Sequence, residues 1–224
     1  PYATINDVPK DVLTQILLNH VVSGTAKSTD LQTGYIKTLA KGGASTTNTL
    51  SMYVDLTSGV KLNGVAKVTT ADVMASNGII HVVDAVIGLP TIVTHATANP
   101  NFSTLATLLT TQNLISTLSS SATPSPFTVF APLNSAFDTA TTSLYGGLTS
   151  TQKTAVLTYH VIGGANVLST GIPASSPTLE TGILRFSGAT ITDEQARVTN
   201  IVLTDVQCSN GIIHAVNKVL LPTL

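Results

Sequence analysis

Five histidines are the side chains of this sequence best suited to acid–base or metal chemistry, and four of them recur in two pairs. His20 and His81 lie 61 residues apart, and His160 and His214 lie 54 apart. A metal site would need Cys or carboxylate at short ligand spacing beside them, and none stands there. Structural pairing, with each ring bonded to backbone, is the reading favoured over metal ligation. Nucleophilic catalysis has no better footing: 37 Thr and 20 Ser offer many hydroxyls, but no Gly-x-Ser-x-Gly elbow occurs. Lys41-Gly42-Gly43 lacks the other parts of a phosphate loop. The lone Cys208 excludes an intramolecular disulfide. The chain reads as no enzyme, with no metal and no cofactor.

The histidines mark an internal repeat, which is the organising fact of the chain. Asp72–Asp84 reads DVMASNGIIHVVD and Asp205–Asn217 reads DVQCSNGIIHAVN, identical at 9 of 13 positions with an offset of 133. Upstream, Leu18–Gly24 echoes Thr158–Gly164 at an offset of 140. The second copy occupies 91–224 and is complete. The first, 1–90, is partial: Pro1 corresponds to a point about 50 residues into the unit, so its opening is expected to be missing. Nothing in residues 1–90 resembles Phe127-Thr128-Val129-Phe130-Ala131-Pro132. The first copy should then leave apolar sheet surface uncovered, at a cost of ~25 cal/mol per Å². Either an upstream stretch or a neighbouring chain is expected to cover it.

The elements that position these residues follow from pattern. Thr91–Ala98 reads as a short helix ended by Asn99-Pro100. Phe102, Leu105, Leu108 and Leu109 continue at helical spacing, with Asn101 as cap. Phe127–Ala131 is a short apolar strand, Asn134 caps a helix carrying Ala136 and Phe137, and Thr149 caps another that ends near His160. From Gly182 the pattern alternates as short, mainly antiparallel strands. In the first copy Val12, Ile16 and Leu17 mark a helix, and 50–56, 61–65 and 79–87 mark strands. Asn77-Gly78 and Asn210-Gly211 read as two-residue hairpin turns, since both positions tolerate positive φ. The runs that follow them, through His81 and His214, barely alternate and read as strands buried on both faces. Helices precede strands, an α+β order. No flexible linker parts the copies, so two rigidly juxtaposed units are expected.

These motifs resemble the fasciclin family, the FAS1 domain. Its first signature block is similar to Phe127–Pro132 with Asn134, Ala136 and Phe137, its last to Ser209–His214 through Pro222, and its central Tyr-His pair to Tyr159-His160. The resemblance implies a wedge of two small β-sheets flanked by helices, repeated in tandem. It also implies a non-enzymatic protein of adhesion or matrix contact, secreted or at the cell surface (extracellular or periplasmic). Adhesion in that family is attributed to the Tyr-His segment and to an Asp-Ile dipeptide, which here fall on Tyr159 and His160, on Asp205 and Val206, and on Asp72 and Val73. In the first copy Asn19 stands where the tyrosine would. The implied partner is a protein or matrix surface, homophilic contact included. The alternative is a carrier for a small apolar ligand, a lipid or carotenoid, in a FAS1 groove.

Composition agrees with this reading. Charged residues are 9% of the chain and the net charge is −1, which gives no field for nucleic acid. No apolar run approaches the ~18 residues of a membrane span. The chain begins at Pro1 with no signal peptide, as expected of a processed product.

Overall fold

A computed structural model describes residues 4–224. The chain runs through α1 (Lys10–Leu18), β1 (Gly34–Lys41), β2 (Thr49–Asp55), β3 (Lys61–Leu62), β4 (Ala66–Ala75) and β5 (Gly78–Val83). It continues through α2 (Ile92–Ala98), α3 (Ser103–Thr111), α4 (Ile115–Ser119), β6 (Phe127–Pro132), α5 (Thr139–Gly147), α6 (Ser150–Tyr159) and β7 (Val161–Gly163). It closes with β8 (Ser175–Pro177), β9 (Ile183–Ser187), β10 (Thr190–Thr192), β11 (Val198–Cys208) and β12 (Gly211–Val216). The strands form two groups, ordered β1-β2-β3-β4-β5 and β7-β6-β12-β11-β10-β9-β8.

The two groups repeat one design. A long strand, β4 or β11, pairs at its start with a short neighbour (β3 or β10) and along its later part with the closing strand (β5 or β12). Each long strand carries register shifts, at residues 68–73 and 201–206, and each places an aspartate in the left-handed region there: Asp72 at φ 59° and Asp205 at φ 60°. Such bulges bend a strand and raise its twist.

Helix starts follow local capping chemistry. Thr91 Oγ1 accepts from Thr94 N–H at 3.2 Å, and Thr94 Oγ1 accepts from Thr91 N–H at 3.1 Å, the reciprocal box that opens α2. Thr149 and Gln152 do the same for α6. Two expected caps are displaced. Asn99, not Asn101, accepts the freed amide, from Asn101 N–H at 3.0 Å. Asn134 opens only a single 3₁₀ turn; its Oδ1 accepts from Thr104 N–H at 3.0 Å and so holds the start of α3, while Asp138 caps α5.

Both expected Asn-Gly turns shift by one residue. Cys208 pairs with Gly211 and Ala75 with Gly78, so Ser209-Asn210 and Ser76-Asn77 form the turns and each glycine begins a strand. The first group also contains strands the pattern missed: β1, and nearly all of β4, whose buried-and-exposed alternation is blurred by the bulge.

The sharpest difference lies between β5 and β12. β12 is sandwiched, antiparallel to β11 and parallel to β6, and all six of its residues are buried. Its core face packs Ile213 and Ala215 with Ile92, Phe102 and Leu105 from the helices. β5 has nearly the same sequence but pairs only with β4, and among the described residues no strand meets its other edge. The expectation of a strand buried on both faces therefore fails for Ile79–Val83. Ile80 is 54% exposed where its counterpart Ile213 is 1% exposed, and Val73 is 41% exposed where Val206 is 1%. Sequence alone does not bury a strand; its cover does.

The units touch along a polar and aromatic seam. Ser51 Oγ on β2 accepts from Gln207 N–H on β11 at 3.0 Å and from Lys37 Nζ at 3.0 Å; Lys37 Nζ also donates to Asp205 O at 2.9 Å. Ala44 N–H donates to Ser209 O at 3.0 Å, and a Cβ on Gly42 would lie 2.4 Å from the Ser209 Cα. The tail after β12 is pinned residue by residue: Val219 O accepts from Arg197, Leu221 N–H donates to Asp193 Oδ2 at 3.1 Å, Pro222 O accepts from Gln195, and Thr223 N–H donates to Glu194 Oε2 at 2.9 Å.

Candidate functional site

The sequence-marked residues gather into two clasps, each built twice. In the first clasp Asp205 Oδ1 accepts from Ser169 N–H at 2.8 Å and Oδ2 from Ser169 Oγ at 2.5 Å. Asp205 N–H donates to His214 Nδ1 at 3.3 Å, and His214 Nε2 donates to Val167 O at 2.9 Å. Asp72, Ser28, His81 and Ala26 O reproduce every contact in the first unit, including the short Ser28–Asp72 bond. The Ser28 bonds hold the Asp72 carboxyl below its ordinary pKa, and burial pushes the His214 imidazolium down.

In the second clasp His160 Nδ1 donates to Val156 O at 2.7 Å while Nε2 accepts from Leu220 N–H at 2.9 Å. His20 does the same with Ile16 O and Ile87 N–H. Burial holds His160 down to about 4. All four repeated histidines thus spend both ring nitrogens on backbone, with opposite tautomers in the two clasps. Among the described residues no group of three His, Cys, Asp or Glu side chains could hold a metal ion.

Tyr159 is fully buried; its hydroxyl donates to Ile183 O and accepts from Glu194 N–H, both at 3.0 Å, and burial pushes its pKa up to about 12. Asn19 replaces it with a different solution: Nδ2 donates to Ile87 O and Gly88 O, and Oδ1 accepts from Thr38 Oγ1. Val206 is buried and its counterpart Val73 is exposed, while Asp205 and Asp72 are both half-buried. Phe127–Pro132 is buried throughout, Asn210 Oδ1 accepts from Ile92 N–H while Nδ2 reaches Leu118 O and Ser120 O, and Asn77 is exposed.

Two groups escaped sequence reading. His95 is the one histidine outside the repeat; it is fully buried, stands edge-on to Tyr35 with centroids 5.2 Å apart, and burial holds it down to about 3. Asn99 Nδ2 donates to Tyr35 OH at 3.2 Å, so α2 is locked to β1 across the seam. A histidine unmatched by the repeat was the only available signal. The second is an apolar groove of about 440 Å³ in the first unit, lined by Val22, Leu31, Val54, Val68, Ile79 and His81 among others.

A family model described as the fasciclin domain matches residues 1–90 and 100–222, the two regions that carry the repeated clasps. The chain belongs to the fasciclin family. The fasciclin pair of this chain aligns with a solved FAS1 domain pair from the insect cell adhesion molecule fasciclin I, with a TM-score of 0.55 and 21% identity, over 97% of this chain and 83% of that one. The tandem FAS1 fold, α+β with helices beside β-sheet, is thereby shown. Among related sequences, the Synechocystis protein sll1735 is 34% identical over 139 residues, 59% of this chain and 98% of its own length. The Synechocystis protein sll1483 is 31% identical over 140 residues, 60% of this chain and 74% of its own. The cell surface glycolipoprotein MPT83 of Mycobacterium tuberculosis is 31% identical over 138 residues, and the fasciclin chain spans 60% of its length. No helix among the described residues is long and apolar enough to cross a membrane.

Proposed function

We propose that this fasciclin protein works outside the cell or at its surface as a non-enzymatic contact protein, in adhesion or matrix attachment. The observation that carries the reading is an exposed apolar stripe on the first unit. Val73 and Ile80 stand opposite one another across β4 and β5, and Val82 follows on the same face; they are 41%, 54% and 45% exposed. Exposed apolar patches rimmed by polar residues mark contact sites. In this reading Asp72 and Val73 are the copy of the Asp-hydrophobe pair that a partner reaches. Tyr159, His160, Asp205 and Val206 serve by holding shape in the second unit. The surface location has its support in the mycobacterial relative's name, and the adhesive role in that of the insect structure.

Attachment of source cells carrying a Val73→Asp, Val82→Asp variant tests it. Attachment should fall while the circular dichroism spectrum is unchanged; full attachment by the variant would overturn the role of this face. A second reading, carriage of a small apolar molecule, is favoured by the groove of about 440 Å³. Native mass spectrometry of protein taken from its own source decides it, since a bound lipid or pigment is required.

A further inference from the structure

The seam between the units is built around a side chain that the fold leaves unsatisfied. His95 on α2 is fully buried, and neither ring nitrogen has a hydrogen-bond partner among the described residues. The clasp histidines, by contrast, bond both nitrogens to backbone. The His95 ring stands edge-on to Tyr35, which is tilted against Tyr53 with centroids 5.0 Å apart. The Ser51 carbonyl lies nearby without reaching hydrogen-bond geometry. Folded proteins keep few buried polar groups in this state.

The charges around the ring are one-sided. Lys37 Nζ reaches the same seam from β1, donating to Ser51 Oγ at 3.0 Å and to Asp205 O at 2.9 Å, and its charge disfavours a second cation on His95. β1 also brings Tyr35, β2 brings Tyr53, and β11 brings Cys208, whose thiol burial pushes up. β12 carries only His214, which is turned to Phe130 and Val167. The helices α3 and α4, the 3₁₀ turn after α2 and the β3–β4 turn that meets Ala98 carry no titratable side chain. The remaining charges on these strands are engaged or distant: Asp205 is held by Ser169, Asp55 by Thr57 N–H, and Lys41 is exposed at the far end of β1. The connection between the units is short. Asn19 holds Ile87 O and Gly88 O on one side, and Ser209 N–H holds Pro90 O at 2.7 Å on the other. Between these anchors stands Leu89, beside an exposed Gly88 with nothing within 4 Å of a Cβ built there.

We propose that His95 is an acid-operated latch on the seam. Neutral, the ring fills the joint. Protonated, it sets a second cation beside Lys37 with no carboxylate and no acceptor to meet it, and α2 parts from the β1–β2 face. The units then swing about Gly88-Leu89 while each keeps its own fold. In the closed joint the ring is held down to about 3, by burial first and also by Lys37; in an open, wet joint it returns to about 6.5. The open form therefore binds one more proton, so closure is complete above about pH 6.5 and weakens about tenfold for each pH unit below it.

Amide hydrogen exchange of the full chain, taken relative to the intrinsic rates, tests this. Gln207 and Ala44 report on the seam, since their N–H groups donate across it to Ser51 Oγ and Ser209 O. Asn63 and Phe127, bonded within their own units to Tyr53 O and Asn210 O, report on each fold. Exchange at Gln207 and Ala44 should quicken about 50-fold between pH 6.5 and pH 4.5, with Asn63 and Phe127 unchanged. The radius of gyration from small-angle scattering should rise over the same range. His95→Phe, which keeps the edge-on contact and has no nitrogen to protonate, should leave the seam shut at pH 4.5. The imidazole resonances of the unsubstituted chain give a reading that needs no variant: His95 should take up its proton together with the loss of seam protection. Seam amides that stay protected at pH 4.5, an equal acid response in His95→Phe, or protonation of His95 with the seam still shut each overturn the inference. Simultaneous loss of protection at Gln207 and Phe127 overturns it in favour of acid unfolding.

Discussion

Phe130 lies stacked on His214, its ring tilted 25° from the imidazole, and the two residues sit directly opposite on parallel strands β6 and β12. His214 meanwhile bonds Asp205 N–H and Val167 O, so one imidazole joins the aromatic core to the aspartate bulge. The second unit is closed around this pair. Truncating it should therefore cost a full core residue: Phe130→Ala is expected to destabilise the chain by about 3–5 kcal/mol. Urea denaturation followed by near-ultraviolet circular dichroism checks the figure.

The paired glycines give a test of cover. A Cβ on Gly211 would lie 2.1 Å from Phe127 O, because β6 passes directly beside it. Gly211→Ala should prevent β6 from pairing and lower the denaturation midpoint strongly. The same change at Gly78, which begins β5 after the equivalent turn, should be close to neutral when compared by thermal melting.

The seam rests on Ser51, whose hydroxyl receives Gln207 N–H and Lys37 Nζ. Ser51→Ala leaves a buried amide without its acceptor, a loss of about 1–3 kcal/mol. A double-mutant cycle with Lys37→Met should show coupling, because both substitutions break one shared contact. Additive effects would mean that the two contacts are independent.

Two buried histidines set a pH dependence. His160 is held down to about 4 and His95 to about 3, by burial in both cases, against about 6.5 in an unfolded chain. Below that value the unfolded chain binds protons that the folded chain refuses, so stability falls with pH. The contribution is complete above about pH 6.5 and is lost as pH drops through about 4 and then about 3. Urea midpoints taken from pH 7 to pH 4 should decline, and less steeply in a His160→Asn variant.

The repeat, the α+β order and the helix cap at Thr149 were legible because each depends on residues close in sequence. The fasciclin family followed from blocks that hold the fold. What could not be read depends on distant partners. Ile80 and Ile213 are the same residue in the same local sequence, yet only one is covered, because cover comes from β6 and the helices. Asn134 looked like a cap and is one, but for α3, thirty residues earlier. His95 and Tyr35 meet across the seam, and neither carries a mark of that meeting in its own stretch. Backbone bonding of the repeated histidines was the expectation; the serines and carbonyls that complete each clasp, Ser28 with Ala26 and Ser169 with Val167, are visible only in space.

The pinned tail gives the second unit a mechanical character. Val219 O, Leu220 N–H, Leu221 N–H, Pro222 O and Thr223 N–H are each held by a different partner, from His160 and from Asp193 through Arg197. A pull at Leu224 along the tail loads these bonds together, in shear, before it reaches β12. The chain end should therefore yield in one abrupt step at high force, which an optical trap would register as a single rupture rather than a gradual unzipping.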